Sequence, residues 1–537
     1  MKLRPLHLFL AVLAFGAFAA ACDSGFSGEP FDPRSPDTEL AVRDTSLVDN
    51  LVDGVRLIST VKVSWSGTDP DGFVSGFEVR FFGTTVPSSG EWTFTTSNDS
   101  LVLLPIPRGE RIADVVFEVR SIDNEGLRDP TPARTVFPIQ NSPPSIRLST
   151  FELPPDSTFP VISFAWVADD PEGVASLARI EISLNDSTNY VALEPDVDFV
   201  TLVGPTDLSQ GNVVDAEVFT GRGFNRTSLT IPGLRLDDDN IFYIRSVDQT
   251  DTTSVIERYP WYVKAQQGEV LFVNDYRKST NPLMVSYHVG LLREYLPAGT
   301  AVDIWDLSLP FTTGSAGGVP RSQSLPALAD PTLNQTFARF KYIYWLSTAS
   351  TDRITTNNLP FAAASMDAFF DGGGKLLVHT PVSLPIEPDD VFNNSAILLL
   401  PISEMISFPD SLRPSLRLAF NAPLTPSGPI PGLSESMPEL KSAGFQINTL
   451  PYFATGANTI PLYEARYRYV TRVGSRQGTW PGASTVASIS ADRRVGLFAI
   501  PLINEQTGAN LLLGADGDPT APTRAIHLML ESLGFPR

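Results

Sequence analysis

The sequence predicts a multidomain chain in which two tandem antiparallel β-sandwiches precede a mostly parallel α/β domain. A motif of Trp, Asp, Pro, an acidic residue and Gly occurs twice in the first half, amid short segments of alternating apolar and polar residues. From Gly268 onward, short apolar runs alternate with stretches of helical spacing. Hydrophobic residues make up 42% of the 537 residues, which is enough for several cores.

The amino terminus has the order of a secretory signal. Two basic residues precede an apolar run from 6 to 18, and three alanines lead into Cys22. The run is shorter than the ~20 residues of a membrane-spanning helix. The small residues before Cys22 resemble the lipobox of bacterial lipoproteins, although alanine stands where that motif usually has leucine. The resemblance implies that residues 1–21 are a signal peptide and that Cys22 is acylated. An ordinary signal cleaved near Ala21 is the alternative.

Composition and the residues after Cys22 indicate an exported protein held on a membrane. Residues 22–45 are rich in Gly, Ser, Pro and Asp, which predicts a flexible tether. The chain has 39 basic and 60 acidic residues, so nucleic acid is excluded as a partner because binding a polyanion requires a basic face. Cys22 is the only cysteine, so no disulfide forms within the chain. We expect a lipid-anchored protein of the bacterial cell envelope, facing the periplasm or the cell exterior.

The repeated motif places a tryptophan before an acidic turn in each predicted sandwich. Val63-Ser-Trp65 leads to Asp69-Pro-Asp71-Gly72, and Phe164-Ala-Trp166 leads to Asp170-Pro-Glu172-Gly173. Both units resemble fibronectin type III or immunoglobulin-like domains, with the two tryptophans in the cores. We place them at 46–141 and 145–264, joined at Asn141-Ser-Pro-Pro144.

The acidic turns allow two interpretations. Carboxylates are the oxygen ligands that calcium prefers, so one calcium site in each sandwich is a hypothesis. Asp and Gly beside Pro also favour tight turns on backbone grounds alone, and this turn interpretation stays open. The candidate calcium ligands are Asp69, Asp71 and Asp123 in the first unit and Asp170, Glu172 and Asp248 in the second. No other cofactor is predicted.

Residues 268–537 are predicted to form the α/β domain. Its expected strands are 269–273, 302–305, 342–346, 375–379 and 495–500, and its expected helices are 282–296, 359–370 and 523–533. Alternation of strand and helix favours a mostly parallel sheet that is covered on both faces. Residues 381–483 are rich in Pro, Ser and Asn and are predicted to be an irregular insertion packed over the sheet.

The α/β segment resembles a class I glutamine amidotransferase-like domain, which has a flavodoxin-like fold. Three stretches carry the resemblance: Val270-Leu-Phe-Val-Asn-Asp275, Tyr342-Ile-Tyr-Trp-Leu-Ser347 and Phe369-Phe-Asp-Gly-Gly-Gly-Lys-Leu-Leu-Val-His379. Active members place a nucleophilic cysteine after the strand that here ends at His379, and this chain continues Thr-Pro-Val-Ser. The resemblance therefore implies the fold without the chemistry, and no catalytic residue is assigned.

Polar residues at predicted strand ends form a candidate cleft. Asp275, Ser347, His379 and Thr380 lie where open α/β sheets bind ligands. The favoured function is a noncatalytic surface or periplasmic lipoprotein, in which sandwich spacers present an α/β domain that binds a protein, glycan or small molecule. The alternative is a hydrolase of envelope or polysaccharide material that uses Asp275 and His379 as base and orienter.

Overall fold

The computed structural model describes fifteen stretches of the chain. They are residues 32–42, 56–58, 60–83, 90–104, 106–107, 110–206, 211–312, 321–327, 331–348, 358–380, 398–405, 414–447, 453–471, 477–482 and 484–537. The predicted signal peptide and Cys22 lie outside these residues, so their assignment stays a prediction. Within the described stretches, no helix is long and apolar enough to cross a membrane.

The chain divides into two compact units. The first comprises Met1–Pro144, Asp170–Leu177 and Asp248–Thr252, and the second comprises Ser145–Asp169, Ala178–Val247 and Thr253–Arg537. Most of the second sandwich therefore belongs to the same compact unit as residues 268–537. The sequence predicted these two parts as separate domains.

The first sandwich has a three-stranded and a five-stranded sheet. Their orders are β1-β3-β6 and β2-β8-β7-β4-β5, and all pairings except that of β2 with β8 are antiparallel. The strands are β1 (Asp37–Val42), β2 (Leu57–Ile58), β3 (Thr60–Thr68), β4 (Val74–Gly83), β5 (Thr93–Thr95), β6 (Asp99–Leu103), β7 (Ile112–Asp123) and β8 (Ala133–Gln140). The predicted antiparallel sandwich is confirmed.

Strand β1 lies inside the segment that was predicted to be a tether. It pairs with β3 from Asp37↔Thr68 to Val42↔Val63, and Leu40 packs against the sandwich core. The Thr38 hydroxyl lies 2.8 Å from that of Ser121. The sandwich therefore begins before residue 46. From Thr38 to Ala41, more buried side chains alternate with exposed ones, a pattern that composition alone does not reveal.

The second sandwich is formed by two five-stranded sheets, with the orders β10-β18-β17-β12-β13 and β16-β15-β14-β11-β9. One 3₁₀ turn, Val174–Ser176, precedes β12. The strands are β9 (Ser145–Leu148), β10 (Ser157–Thr158), β11 (Val161–Asp169), β12 (Leu177–Leu184), β13 (Val191–Leu193), β14 (Phe199–Val203), β15 (Val213–Thr220), β16 (Asn225–Arg235), β17 (Asp238–Asp248) and β18 (Glu257–Val263).

The two repeat tryptophans occupy equivalent core positions, as predicted. Trp65 is 4% exposed and Trp166 is 3% exposed. The indole N–H of Trp65 donates to the carbonyl of Ser97 at 2.9 Å, and that of Trp166 donates to the carbonyl of Val197 at 3.0 Å. In each sandwich, a backbone carbonyl thus accepts the indole N–H, which would be costly to bury without a partner.

The rest of the chain contains a ten-stranded mixed sheet and five described helices. The helices are α1 (Asn281–Tyr295), α2 (Thr332–Ala338), α3 (Leu359–Ala363), α4 (Asp367–Asp371) and α5 (Ala521–Leu533). The strands are β19 (Val270–Asp275), β20 (Val302–Asp306), β21 (Phe311–Thr312), β22 (Arg321–Ser322), β23 (Tyr342–Ser347), β24 (Lys375–His379), β25 (Glu404–Met405), β26 (Pro414–Leu418), β27 (Pro423–Pro426), β28 (Leu440–Ser442), β29 (Phe453–Ala454), β30 (Thr459–Ala465), β31 (Tyr467–Thr471), β32 (Gln477–Thr479), β33 (Thr485–Ser490), β34 (Val495–Phe498) and β35 (Leu512–Gly514).

The large sheet is parallel in one half and antiparallel in the other. Its order is β20-β19-β23-β24-β34-β33-β30-β27-β28-β35, and only the pairings from β20 to β34 are parallel. Helices α1 and α5 contribute to the core on one face, and α2, α3 and α4 contribute to the core on the other. Helices therefore lie on both faces of the sheet, but the predicted mostly parallel sheet is wrong for the sheet as a whole.

The predicted insertion does not simply pack over the sheet. Its described strands β27, β28 and β30 continue the sheet beyond β33. The proline content favoured an irregular segment, but the prolines lie where strands accept them. Pro423 and Pro426 stand at the two ends of β27, and Pro461 lies at an irregularity in the pairing of β30. Proline is tolerated at strand ends and at bulges.

The second sandwich packs against the region from residue 268 onward within the second unit. Phe159 contacts the rings of Trp305 and Phe340 with centroid distances of 6.0 and 5.1 Å. Arg339 donates to the carbonyls of Gly204 at 2.9 Å and Pro205 at 2.7 Å. The second sandwich is therefore in direct contact with residues 305–340.

Candidate functional site

Asp275 ends the first parallel strand and is fully buried. Its Oδ2 atom accepts a hydrogen bond from the Asn358 backbone N–H at 2.7 Å, and its Oδ1 atom accepts from the Asn358 side-chain amide at 2.6 Å. The indole N–H of Trp345 donates to Oδ2 at 3.3 Å. Burial raises the pKa of Asp275 to about 7, and the donors from Asn358 and Trp345 oppose this rise.

The four predicted cleft residues do not share one face of the sheet. Side chains alternate along a strand, and Asp275 follows Leu271 and Val273, which belong to the core beneath α2, α3 and α4. His379 follows Leu377, which belongs to the opposite core beneath α1 and α5. Asp275 and His379 therefore lie on opposite faces.

Ser347 and Thr380 fall on the same side as Asp275. Ser347 is the register partner of Asp275 on β23, and Thr380 follows His379, so alternation turns its side chain away from the histidine. Thr380 is 1% exposed, and its hydroxyl makes no hydrogen bond within the described residues. Three of the four predicted residues therefore meet at one strand-end region, and His379 does not join them.

His379 instead packs against a second histidine. Its ring centroid lies 4.5 Å from that of His288 on α1, and it stacks on Phe498 at 5.5 Å. Nδ1 of His288 lies 2.8 Å from the Tyr344 hydroxyl. Burial lowers the pKa of His379 to about 3 and holds the pKa of His288 well below its ordinary value. Both rings are therefore neutral at physiological pH.

Asn358 contacts Asp275 but was not among the residues predicted from the sequence. It comes directly before α3, and besides its contacts with Asp275 its side-chain oxygen accepts from the Ser322 N–H at 3.3 Å. An asparagine beside Leu-Pro is a common helix-start signal, which is the one clue that the sequence offers. Its approach to Asp275 depends on tertiary packing.

A separate cleft opens where strands β24 and β34 begin. Its volume is about 700 Å³, which lies within the usual range of ligand pockets. It is bounded by α4, by residues 398–403 and by the turn that connects β33 to β34. No sequence pattern predicted it, because its walls come from segments that are distant in the chain.

The candidate calcium residues of the first sandwich shape two turns. Asp69 Oδ1 accepts from the Asp71 N–H at 3.3 Å, and Asp123 Oδ1 accepts from the N–H groups of Glu125 and Leu127 at 2.8 Å each. A side chain at Gly72 would displace the side-chain oxygen atoms of Asp69 and Asn124.

The second set is more buried. Asp248 Oδ1 accepts from the N–H groups of Thr250 and Thr252 at 2.8 Å each, which repeats the bonding of Asp123. Asp170 Oδ1 accepts from the Glu172 N–H at 2.8 Å. Burial, together with the neighbouring Glu172, raises the pKa of Asp170 to about 7. Among the described residues, no group of three or more potential ligands is arranged to hold a metal ion.

Comparison with solved structures finds similarity to fibronectin type III modules. No family model matches the chain, and no curated protein matches it. A two-domain fibronectin type III segment of chicken tenascin is 12% identical, covering 43% of this chain and 100% of that one, with a TM-score of 0.19. The fibronectin(III)-like modules of Clostridium thermocellum CbhA are 10% identical, covering 38% of this chain and 86% of that one, with a TM-score of 0.16.

A third match, the FN1-FN3 domains of chicken CNTN1, is 11% identical, covering 38% of this chain and 63% of that one, with a TM-score of 0.15. All three structures contain fibronectin modules. The two sandwiches of this chain are fibronectin type III-like, and their strand pairing carries that assignment rather than these alignments. The matches give no activity or ligand.

Proposed function

We propose that the protein is a lipid-anchored protein of the bacterial cell envelope that acts by binding and not by catalysis. The observation that carries the proposal is the separation of Asp275 and His379 onto opposite faces of the sheet. A base and its orienting partner must lie within hydrogen-bond reach. Asp275 contacts Asn358 instead, and His379 contacts His288. This geometry does not support the alternative hydrolase.

We also propose that the parallel half of the sheet is flavodoxin-like and related to class I glutamine amidotransferases. Its five strands lie side by side in the order β20-β19-β23-β24-β34. When these strands are numbered along the chain, the order is 2-1-3-4-5, which is the flavodoxin order. The antiparallel half is an elaboration beyond that pattern. The glutaminase reaction needs a thiolate, and the only cysteine of the chain is Cys22.

The anchor is supported by the sequence around Cys22. Several acyl chains at about 0.8 kcal/mol per buried methylene give stable membrane binding. Replacing Cys22 with serine should move the protein from the detergent phase to the aqueous phase and abolish labelling with fatty acid. Ser24→Ala is the matched control and should partition like the wild type. If Cys22→Ser still enters the detergent phase, the anchor is elsewhere and this part of the proposal is wrong.

The noncatalytic role is tested on the purified full chain. We expect no ammonia release from glutamine above the uncatalysed rate. Ammonia release that disappears in a Thr380→Val variant would contradict the proposal, because the hydroxyl of Thr380 is the nucleophile nearest to the position of the missing cysteine. This result is independent of the partition experiment.

A further inference from the structure

The cleft beside α4 combines an apolar wall with an acidic rim. Leu398 is 89% exposed at the rim, and Phe370 is half-buried in the wall. An isolated exposed leucine is ordinary, but this one borders a cavity of about 700 Å³. The remaining apolar lining residues are Leu399, Leu400, Pro401, Ile402 and Val495.

The charges around the cleft do not cancel. Asp492 Oδ2 accepts from Arg494 Nε at 2.6 Å, so these two groups neutralise one another. Burial alone would raise the pKa of Asp492, but hydrogen bonds from Ser490 and Arg494 hold it below its ordinary value. Asp367 and Asp371 make no ion pair within the described residues, which leaves the rim with excess negative charge.

Asp367 and Asp371 stand one helical turn apart on α4, and both are exposed. Like charges at this spacing are neighbours on the helix surface and destabilise it. A cation placed between them would remove that repulsion. The net charge of −21 would also raise the local concentration of cations around the protein.

We propose that this cleft binds a peptide segment that carries a lysine or arginine beside an aliphatic residue. The basic group lies between Asp367 and Asp371, and the aliphatic side chain lies against Leu398 and Phe370. The apolar wall favours a peptide over a bare cation, because a bare cation has nothing to bury against it. This inference rests on the proposed binding role and names the class of ligand.

The test measures binding of a fluorescent acetyl-Leu-Arg-Leu-Lys-amide peptide to the purified full chain by anisotropy. A charge-reversed peptide with Glu in place of Arg and Lys is the comparison. We expect only the basic peptide to bind, with an affinity that falls as salt is added. In an Asp367→Asn, Asp371→Asn double variant, the loss of two exposed ion pairs should raise Kd about fivefold.

Two further variants separate the outcomes. Leu398→Ser should weaken binding of the peptide but not of spermine, whereas Glu294→Gln on α1 should change neither. Spermine binding as tight as that of the peptide, or no effect of Leu398→Ser, would overturn the peptide assignment in favour of a small-cation site. Equal peptide affinity in the wild type and the aspartate double variant would show that the peptide does not bind in this cleft. Neither result bears on the ammonia or partition experiments.

Discussion

Replacing Asp275 with asparagine should make the protein less sensitive to alkaline pH. The carboxyl group is fully buried, and burial raises its pKa from 3.8 to about 7. The folded state therefore holds a proton that the unfolded chain releases at lower pH. The stability due to that proton is fully present below pH 3.8 and is lost as the pH rises through about 7.

The size of the effect follows from the same shift. Each pKa unit corresponds to 1.36 kcal/mol, so the wild type should lose about 4 kcal/mol of unfolding free energy from this group between pH 4 and pH 8. Asparagine does not titrate and should not lose it. The new side-chain NH₂ would meet the Asn358 amide, which can rotate to present its oxygen at the expense of the 3.3 Å bond from Ser322.

The assay is thermal or urea unfolding of both proteins from pH 4 to pH 9. We expect similar stability at pH 4, and an advantage for Asp275→Asn that grows as the pH rises from 4 to about 7 and then levels off. Asp239→Asn, an exposed position in the same compact unit, is the matched control and should follow the wild type at every pH. Parallel stability curves for the wild type and Asp275→Asn would refute the reasoning.

Two further predictions concern other buried polar side chains. His379→Phe should reduce acid sensitivity, because burial lowers the pKa of His379 from 6.5 to about 3, so the wild type loses stability as the pH falls below 6.5. At pH 5 this loss is about 2 kcal/mol. If the wild type and His379→Phe lose the same unfolding free energy between pH 8 and pH 5, the prediction is wrong. Arg339→Met should leave the carbonyls of Gly204 and Pro205 without their donor and destabilise the second unit by about 3 kcal/mol. We expect calorimetry to show two transitions for this unit in the variant. A single transition at the wild-type temperature would contradict the coupling between the second sandwich and the rest of the unit.

Local patterns predicted the sandwiches well. The tryptophan motif identified Trp65 and Trp166 as core residues. A strand with alternating apolar and polar residues buries one face, and its aromatic residues lie on that face. The predicted helix at 282–296 corresponds to α1, Asn281–Tyr295. The predicted helix at 359–370 is instead the two short helices α3 and α4, which are interrupted after Ala363.

Sheet order and segment pairing were harder to predict. Nothing local in Pro423–Pro426 shows that it pairs with Thr459–Ala465, since the pairing depends on residues far apart in sequence. The same limit applied to Asn358, whose contact with Asp275 links segments that the chain separates widely. The opposite orientations of His379 and Thr380, by contrast, follow from alternation along one strand and were predictable.

The strand-end groups share a property that supports the proposed noncatalytic role. Asp275 is 0% exposed, His379 is 2% exposed and Thr380 is 1% exposed. A general acid or base must reach the substrate and exchange protons during turnover. Burial shifts the pKa of Asp275 upward and that of His379 downward, so each group moves toward its neutral form. Such buried groups are part of the packed interior at the end of the sheet. The acidic cleft beside α4 presents exposed charge instead, so ligand binding is better sought where β24 and β34 begin.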